Sequence, residues 1–192
     1  MNKKLTFYFK GSRNYVQGPD IVENLFKRFA DANIEHIDLK FNGIVTKNLD
    51  LIEGSESQHA RVNIRWLESG QEKCYQLVEN SEEIDSRYEY NEDLIIRNTQ
   101  LDLGAQRITL KAKTGYTLCE NFVAMNKCLL QGLYPEEKGK WYFTRLEQSK
   151  IISDEALIKV KFVKNFNFRL TKSDILLNDE IIGSVYFSMV RG

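Results

Sequence analysis

The chain has 192 residues, of which 42% are hydrophobic and 28% charged, a composition typical of a folded domain and too polar for a membrane-spanning protein. Its 27 Lys and Arg residues balance 27 Asp and Glu residues, so no overall positive field favours nucleic-acid binding. Three cysteines without a CxxC pair and two distant histidines predict neither a disulfide framework nor a metal site, and we expect no cofactor.

The N-terminal segment and the apolar runs bear on location. The first ten residues lack the apolar core and cleavage site of a secretory signal. No apolar run reaches the roughly 18 residues that a membrane-spanning helix needs. We therefore expect a cytoplasmic protein that does not enter a membrane.

The first half of the chain predicts a strand, a helix and several further strands. Leu5, Phe7 and Phe9 alternate with polar residues, as in a half-buried strand. A helix begins near Gly18-Pro19-Asp20, because the apolar residues that follow share one helical face. Further alternation predicts strands around residues 37–41, 49–52, 62–66 and 74–78.

The second half repeats this order. An acidic stretch, residues 79–93, is predicted to be a linker or a solvated loop. A strand at residues 107–112, a turn carrying Tyr116 and a helix at residues 122–133 follow, and antiparallel strands then continue to Val190. We interpret this recurrence as a duplication, with a first half at residues 1–90 and a second at 91–192. Halves of this size are expected to complete one another's core.

Parts of this pattern resemble hotdog-fold enzymes that act on acyl thioesters. In the β-hydroxyacyl carrier-protein dehydratases, a loop glycine leads into a helix in which aliphatic residues precede a catalytic Glu. The segment from Val16 to Leu25 is similar, and it places Gly18 on the family glycine and Glu23 on the catalytic Glu. Strands predicted at 141–146, 158–163 and 178–190 resemble that family's last strands.

The resemblance implies an α+β fold of two tandem hotdog-like units, each an antiparallel sheet wrapped around one helix, which together form a pseudo-dimer. It implies an acyl-CoA or acyl-carrier-protein thioester as the binding partner, thioesterase-like or diverged dehydratase-like chemistry, and a possible homodimer of pseudo-dimers. A helix-grip or other α+β lipid-binding fold is the remaining structural alternative.

The catalytic pattern of the family is incomplete. Its His lies about fourteen residues before the Glu, where this chain has Phe9. In the second half, Leu110 stands at the position of the His and Ala124 at that of the Glu. Because neither side chain can exchange a proton, ordinary dehydration is not expected. A non-catalytic hotdog scaffold that binds a protein partner is therefore the alternative function.

Each candidate site residue has a functional and a structural interpretation. Glu23 is the candidate catalytic base toward water, or an exposed helix Glu stabilised by the helix dipole. Gly18 is a substrate-binding candidate that opens the helix N-terminal amides to a thioester carbonyl, or a turn glycine. Tyr15 and Tyr116 are pocket-mouth hydroxyls or packing aromatics, and Asn121 is assigned with them to substrate binding.

Four cations and two histidines are further polar candidates in the sequence. Lys10 and Arg13 near the first helix, with Lys111 and Lys113 near the second, are either contacts for a pantetheine phosphate or scattered surface cations. The two histidines, His36 and His59, are expected to be structural or solvated.

Overall fold

A computed structural model describes residues 3–152 and 157–191, which fall into two units. Unit 1 comprises Met1–Asn91 with Ser149–Ile151, and unit 2 comprises Glu92–Gln148 with Ile152–Gly192. No helix in the described ranges combines the length and the hydropathy that crossing a bilayer requires.

Unit 1 has one helix among short and long strands. Its elements are β1 (Lys3–Leu5), β2 (Phe9–Lys10), α1 (Gly18–Arg28), β3 (Ile34–Phe41), β4 (Lys47–Glu53), β5 (Val62–Glu68), β6 (Gln71–Glu83) and β7 (Arg87–Tyr88).

The main sheet of unit 1 is antiparallel, with the strand order β1-β4-β6-β5-β3. The strands bury alternate apolar residues, as Leu49 and Leu51 of β4 show. β2 and β7 form a separate parallel ladder in which Lys10 is paired with Tyr88. This ladder lies outside the main sheet.

The helix α1 forms because an apolar stripe recurs at helical spacing. Ile21, Val22 and Leu25 are almost fully buried, and the ring of Phe29, just past the helix end, packs edge-on against Trp66 of β5 at 4.8 Å. Lys27 and Arg28 lie in the last turn, where positive charge favours the helix dipole. The predicted helix near Gly18 is therefore found.

Unit 2 contains the longest helix of the described chain. Its elements are α2 (Glu92–Arg97), β8 (Thr99–Asp102), β9 (Arg107–Leu110), α3 (Leu118–Leu133), β10 (Lys140–Lys150), β11 (Ile158–Phe166), β12 (Leu170–Leu177) and β13 (Glu180–Val190).

The sheet of unit 2 is also antiparallel, with the order β8-β9-β11-β12-β13-β10. Its β12–β13 hairpin turns at Asn178 and Asp179, which both have positive φ (51° and 66°), as a tight hairpin turn requires. Gly183 lets β13 approach β10, because a β-carbon there would collide with the carbonyl oxygen of Glu147. The rings of Phe122 on α3 and Phe143 on β10 pack edge to face in the core.

Each unit thus contains a strand, a helix and further antiparallel strands in that chain order, which fits the hotdog-like fold expected from the sequence. The two sheets are not identical in topology. In unit 1 the last strand of the main sheet, β6, lies between β4 and β5. In unit 2 the last strand, β13, lies between β12 and β10. The β4–β5 connection therefore crosses over β6, and β11, β12 and β13 form consecutive hairpins.

The expectation that residues 79–93 form a linker is wrong for its first part. β6 continues to Glu83 and pairs with β4. Cations on neighbouring segments offset its acidic side chains, since Arg61 pairs with Glu79 at 2.6 Å and Lys47 with Glu83 at 2.6 Å. The acidic residues up to Glu83 therefore belong to a strand in which Glu79 and Glu83 are paired with cations.

Candidate functional site

The start of α1 lacks a side-chain cap. Its N-cap residue, Gln17, makes no side-chain capping bond, and Pro19 has no N–H. The N–H groups of Asp20 and Ile21 donate to the Gln17 carbonyl at 3.0 and 3.4 Å. No acceptor for the Gly18 N–H is found within residues 3–152 and 157–191. Gly18 therefore presents the one first-turn donor that an incoming carbonyl or carboxylate could use.

A buried ion pair fixes this helix start to β2. The Lys10 ammonium lies 2.7 Å from Oδ1 of Asp20, and the two side chains are 0% and 15% exposed. The hydroxyl of Tyr88 donates to the same Oδ1 at 3.0 Å. The ring centroids of Tyr90 and Tyr88 lie 4.6 and 5.7 Å from the ammonium. A lysine, a carboxylate and two aromatic rings thus converge on the first turn of α1.

The sequence interpretation gave Lys10 the wrong direction. Strict alternation from Leu5 predicts Phe9 inward and Lys10 outward. In the structure β1 ends at Leu5 and β2 is a separate ladder, in which Phe9 is half-buried and Lys10 fully buried. The break between the two strands shifts the inward phase by one residue. Phe9 thus stands at the position that the resemblance gives to the His, and its neighbour Lys10 is buried.

Glu23 lies one turn beyond Asp20 on α1 and forms its own ion pair. Its Oε1 is 2.8 Å from the ammonium of Lys27, four residues later, and its side chain is 19% exposed. The Glu23 carboxylate is thus paired within α1, and its role as a base stays a prediction.

The start of α3 is closed by its own side chains. The Thr117 hydroxyl accepts from the Glu120 N–H at 3.2 Å, and the Glu120 carboxylate accepts from the Thr117 N–H at 2.8 Å, which is a capping box. The Asn121 amide accepts from the Thr114 hydroxyl at 2.7 Å and donates to the Tyr116 carbonyl at 3.1 Å. The structure thus brings Tyr116 and Asn121 together through a turn that they hold in place.

The remaining candidate residues are spread over the two units. Tyr15 is half-buried just before α1, and Arg13 lies with its guanidinium 5.8 Å from the Tyr90 ring. Lys111 and Lys113 are exposed. Both histidines are exposed, and His36 has a φ of 52° at an irregular point of β3.

Two groups on α3 bear on possible chemistry in unit 2. Burial, helped by the charge of Glu92, raises the pKa of the Cys128 thiol, so this cysteine stays protonated and is a poor nucleophile. Asn126 is 0% exposed, and neither polar atom of its amide has a hydrogen-bond partner within the described chain. No described group of three or more His, Cys, Asp and Glu side chains is arranged to hold a metal ion.

Comparisons with known proteins give structural similarities only. No protein-family model matches the chain, and no curated protein matches it. A pyran synthase domain from module nine of the sorangicin pathway is similar at 10% identity and a TM-score of 0.49, over 99% of this chain and 97% of that one. A putative thioesterase II from Thermobifida fusca gives 7% and 0.47, over 94% and 89% of the two chains. The erythromycin dehydratase gives 11% and 0.46, over 92% and 82%.

Of these three proteins, one is a pyran synthase domain, one a putative thioesterase and one a dehydratase. At identities of 7–11% and TM-scores of 0.46–0.49, these similarities assign no family, reaction or substrate to this chain.

Proposed function

We propose that the chain binds acyl thioesters, carried by CoA or by an acyl carrier protein, and that the thioester carbonyl meets the start of α1. The observation that carries this proposal is the uncapped first turn, where the Gly18 N–H has no acceptor within the described residues. The positive end of a helix stabilises the partial negative charge of a carbonyl oxygen. Two features of unit 1 support the same proposal. Its elements run in the order strand, helix and further antiparallel strands, and Phe29 at the end of α1 packs against Trp66 of β5.

For hydrolysis, Glu23 is the proposed base. Its carboxylate would take a proton from water while the water oxygen bonds to the carbonyl carbon. The carbon–sulfur bond then breaks, and the departing thiolate takes up the proton. Dehydration of a hydroxyacyl group has no such support, because Phe9 stands where a second proton carrier is needed.

The second candidate function is a scaffold that binds a protein partner without turnover. The Glu23–Lys27 ion pair favours it, since a paired carboxylate on a half-exposed helix face stabilises α1 without any catalytic role. The remaining proposals are the tandem pseudo-dimer arrangement, the boundary after residue 90, a cytoplasmic location, a homodimer, and substrate contacts by Tyr15, Tyr116 and Asn121.

A binding experiment tests the role of the helix start. Purified protein is titrated with acyl-CoA and acyl-carrier-protein panels, together with Gly18→Pro, which removes the N–H, and Gly18→Ala, which keeps it. Proline is well accommodated at the first helical position. We expect Gly18→Pro to weaken binding roughly tenfold, the effect of one hydrogen bond, and Gly18→Ala to have a smaller effect. Equal affinities for the two variants would remove the Gly18 N–H from the site.

A turnover experiment separates the two candidate functions. Thiol release is followed for the parent chain, for Glu23→Gln, and for Glu92→Gln as a matched control, because Glu92 also pairs with a lysine at 2.8 Å. Hydrolysis predicts a loss of at least a hundredfold in Glu23→Gln alone. Thioester binding without thiol release in the parent chain would favour the scaffold, and release that Glu23→Gln does not alter would exclude Glu23 as the base.

A further inference from the structure

Residues Asp85–Tyr90, here called the strap, cross β2 and the first turn of α1. The strap is held by backbone bonds from the Phe9 N–H to Ser86 at 3.0 Å and from the Gly11 N–H to Tyr88 at 2.8 Å. The Arg87 guanidinium also donates to the Gly11 carbonyl at 2.6 Å. Tyr88 adds the hydrogen bond to Asp20 described above.

The strap is attached by polar bonds rather than by a core. All residues from Asp85 to Glu89 are exposed, and the side chain of Tyr88 itself is 41% exposed. Its ladder with β2 has only the two pairs Phe9–Arg87 and Lys10–Tyr88. Segments with little apolar burial and solvent-exposed backbone bonds open locally, well below the free energy of global unfolding.

The strap covers a buried lysine, Lys10. Lys10 is fully buried although it belongs to a two-residue ladder outside the main sheet, and the rings of Tyr88 and Tyr90 lie next to its ammonium. Lifting the strap would remove both rings at once. The Lys10–Asp20 pair and the adjoining first turn of α1 would then face solvent.

We propose that the strap is a gate over the start of α1, and that a ligand reaches this helix end only when Tyr88 leaves Asp20. This inference rests on the proposed function for the identity of the ligand, an acyl thioester. The closed strap keeps the ammonium away from solvent and occupies the approach to the first turn. The open strap exposes the Lys10–Asp20 pair beside the positive end of a helix, whose N-terminal amides suit the anionic groups of a pantetheine carrier.

Chemical labelling of lysines measures the opening without any ligand. An amine-acylating ester is applied in pulses, and the modification of Lys10 is followed by mass spectrometry against Lys27, whose side chain is 74% exposed. We expect Lys10 to react far more slowly than Lys27. In Tyr88→Phe it should react roughly fivefold faster than in the parent, because one hydrogen bond from a partly exposed hydroxyl to a carboxylate is lost.

Matched controls separate local opening from unfolding. Tyr142→Phe changes a tyrosine whose ring lies 5.2 Å from another lysine, Lys140, and should leave the rate at Lys10 unchanged. The amides of Phe9 and Gly11 should exchange with solvent deuterium faster than the Arg61 amide, which bonds to Leu77 between β5 and β6. Phe9 and Gly11 amides as well protected as the Arg61 amide, or equal Lys10 labelling rates in Tyr88→Phe and the parent, would overturn the gate.

Ligand kinetics then test the gating step itself. If an acyl thioester binds, Tyr88→Phe should raise its association rate by the same factor that labelling shows, and Tyr142→Phe should not. An unchanged association rate despite faster labelling would show that the strap opens but gates nothing. If no acyl thioester binds, the proposed function and the gate to that ligand both fail, while labelling still decides whether the strap opens.

Discussion

The Lys10–Asp20 pair should show strong energetic coupling in a double-mutant cycle. The perturbations are Lys10→Met, Asp20→Asn and the two combined, which keep side-chain volume near that of the parent. Asp20→Asn leaves a fully buried ammonium without its carboxylate, and breaking a buried pair costs about 3–5 kcal/mol.

The other arms of the cycle are expected to cost less. Lys10→Met leaves Asp20 with the Tyr88 hydroxyl and the helix N-terminus, so about 2 kcal/mol is expected. The double variant places an apolar side chain between two tyrosine rings beside a neutral amide, and it should lie within about 1 kcal/mol of the parent. The coupling energy, which is the sum of the two single costs minus the cost of the double variant, should therefore reach about 4–6 kcal/mol.

Urea unfolding at pH 7, followed by tryptophan fluorescence, supplies the four free energies of unfolding. A control cycle on Lys40 and Glu56, paired at 2.8 Å but about one-third or more exposed, should give less than about 1 kcal/mol. A coupling energy for Lys10 and Asp20 no larger than that of the control would refute the buried-pair reasoning.

Two further predictions concern polar groups away from α1. Burial alone would raise the pKa of Glu79, but the Thr46 N–H and the Arg61 guanidinium bonded to its carboxylate hold it below its usual value. Such a group stabilises the fold above its unfolded pKa and loses that contribution as the pH falls through its lowered folded-state pKa. Glu79→Gln should therefore cost about 2 kcal/mol at pH 7 and progressively less in acid, whereas the exposed Glu72→Gln should change little across the same pH range in urea titrations. Asn126→Leu should raise the free energy of unfolding by about 1–2 kcal/mol, because it removes a buried amide without partners; a lower thermal midpoint would contradict this.

The elements that local pattern determines were predictable from the sequence. The apolar stripe of Ile21, Val22 and Leu25 gave α1, and Asn178-Asp179 between alternating residues gave a hairpin turn that the structure confirms. The residues Thr117 to Glu120 also carry a capping-box signature that predicts where α3 begins. Each of these features depends on neighbours within a few positions of the chain.

The convergence on Lys10 was not predictable in the same way. Its direction depends on where β1 ends and β2 begins, and a single break reverses which residues face inward. Its partners Tyr88 and Tyr90 lie nearly eighty residues downstream, inside a stretch that reads as a charged linker. Non-local pairing of this kind leaves no periodic signal in the sequence.

The unequal ends of the two helices make the halves of the chain inequivalent. In α3, Thr117 and Glu120 satisfy one another's backbone amides, whereas in α1 Gly18 keeps an N–H for which the described chain offers no acceptor. If the first turn of α1 receives a thioester carbonyl as proposed, the described residues offer the Gly18 N–H as its donor, while the start of α3 is occupied by its own capping box. A titration should then saturate at one acyl thioester per chain.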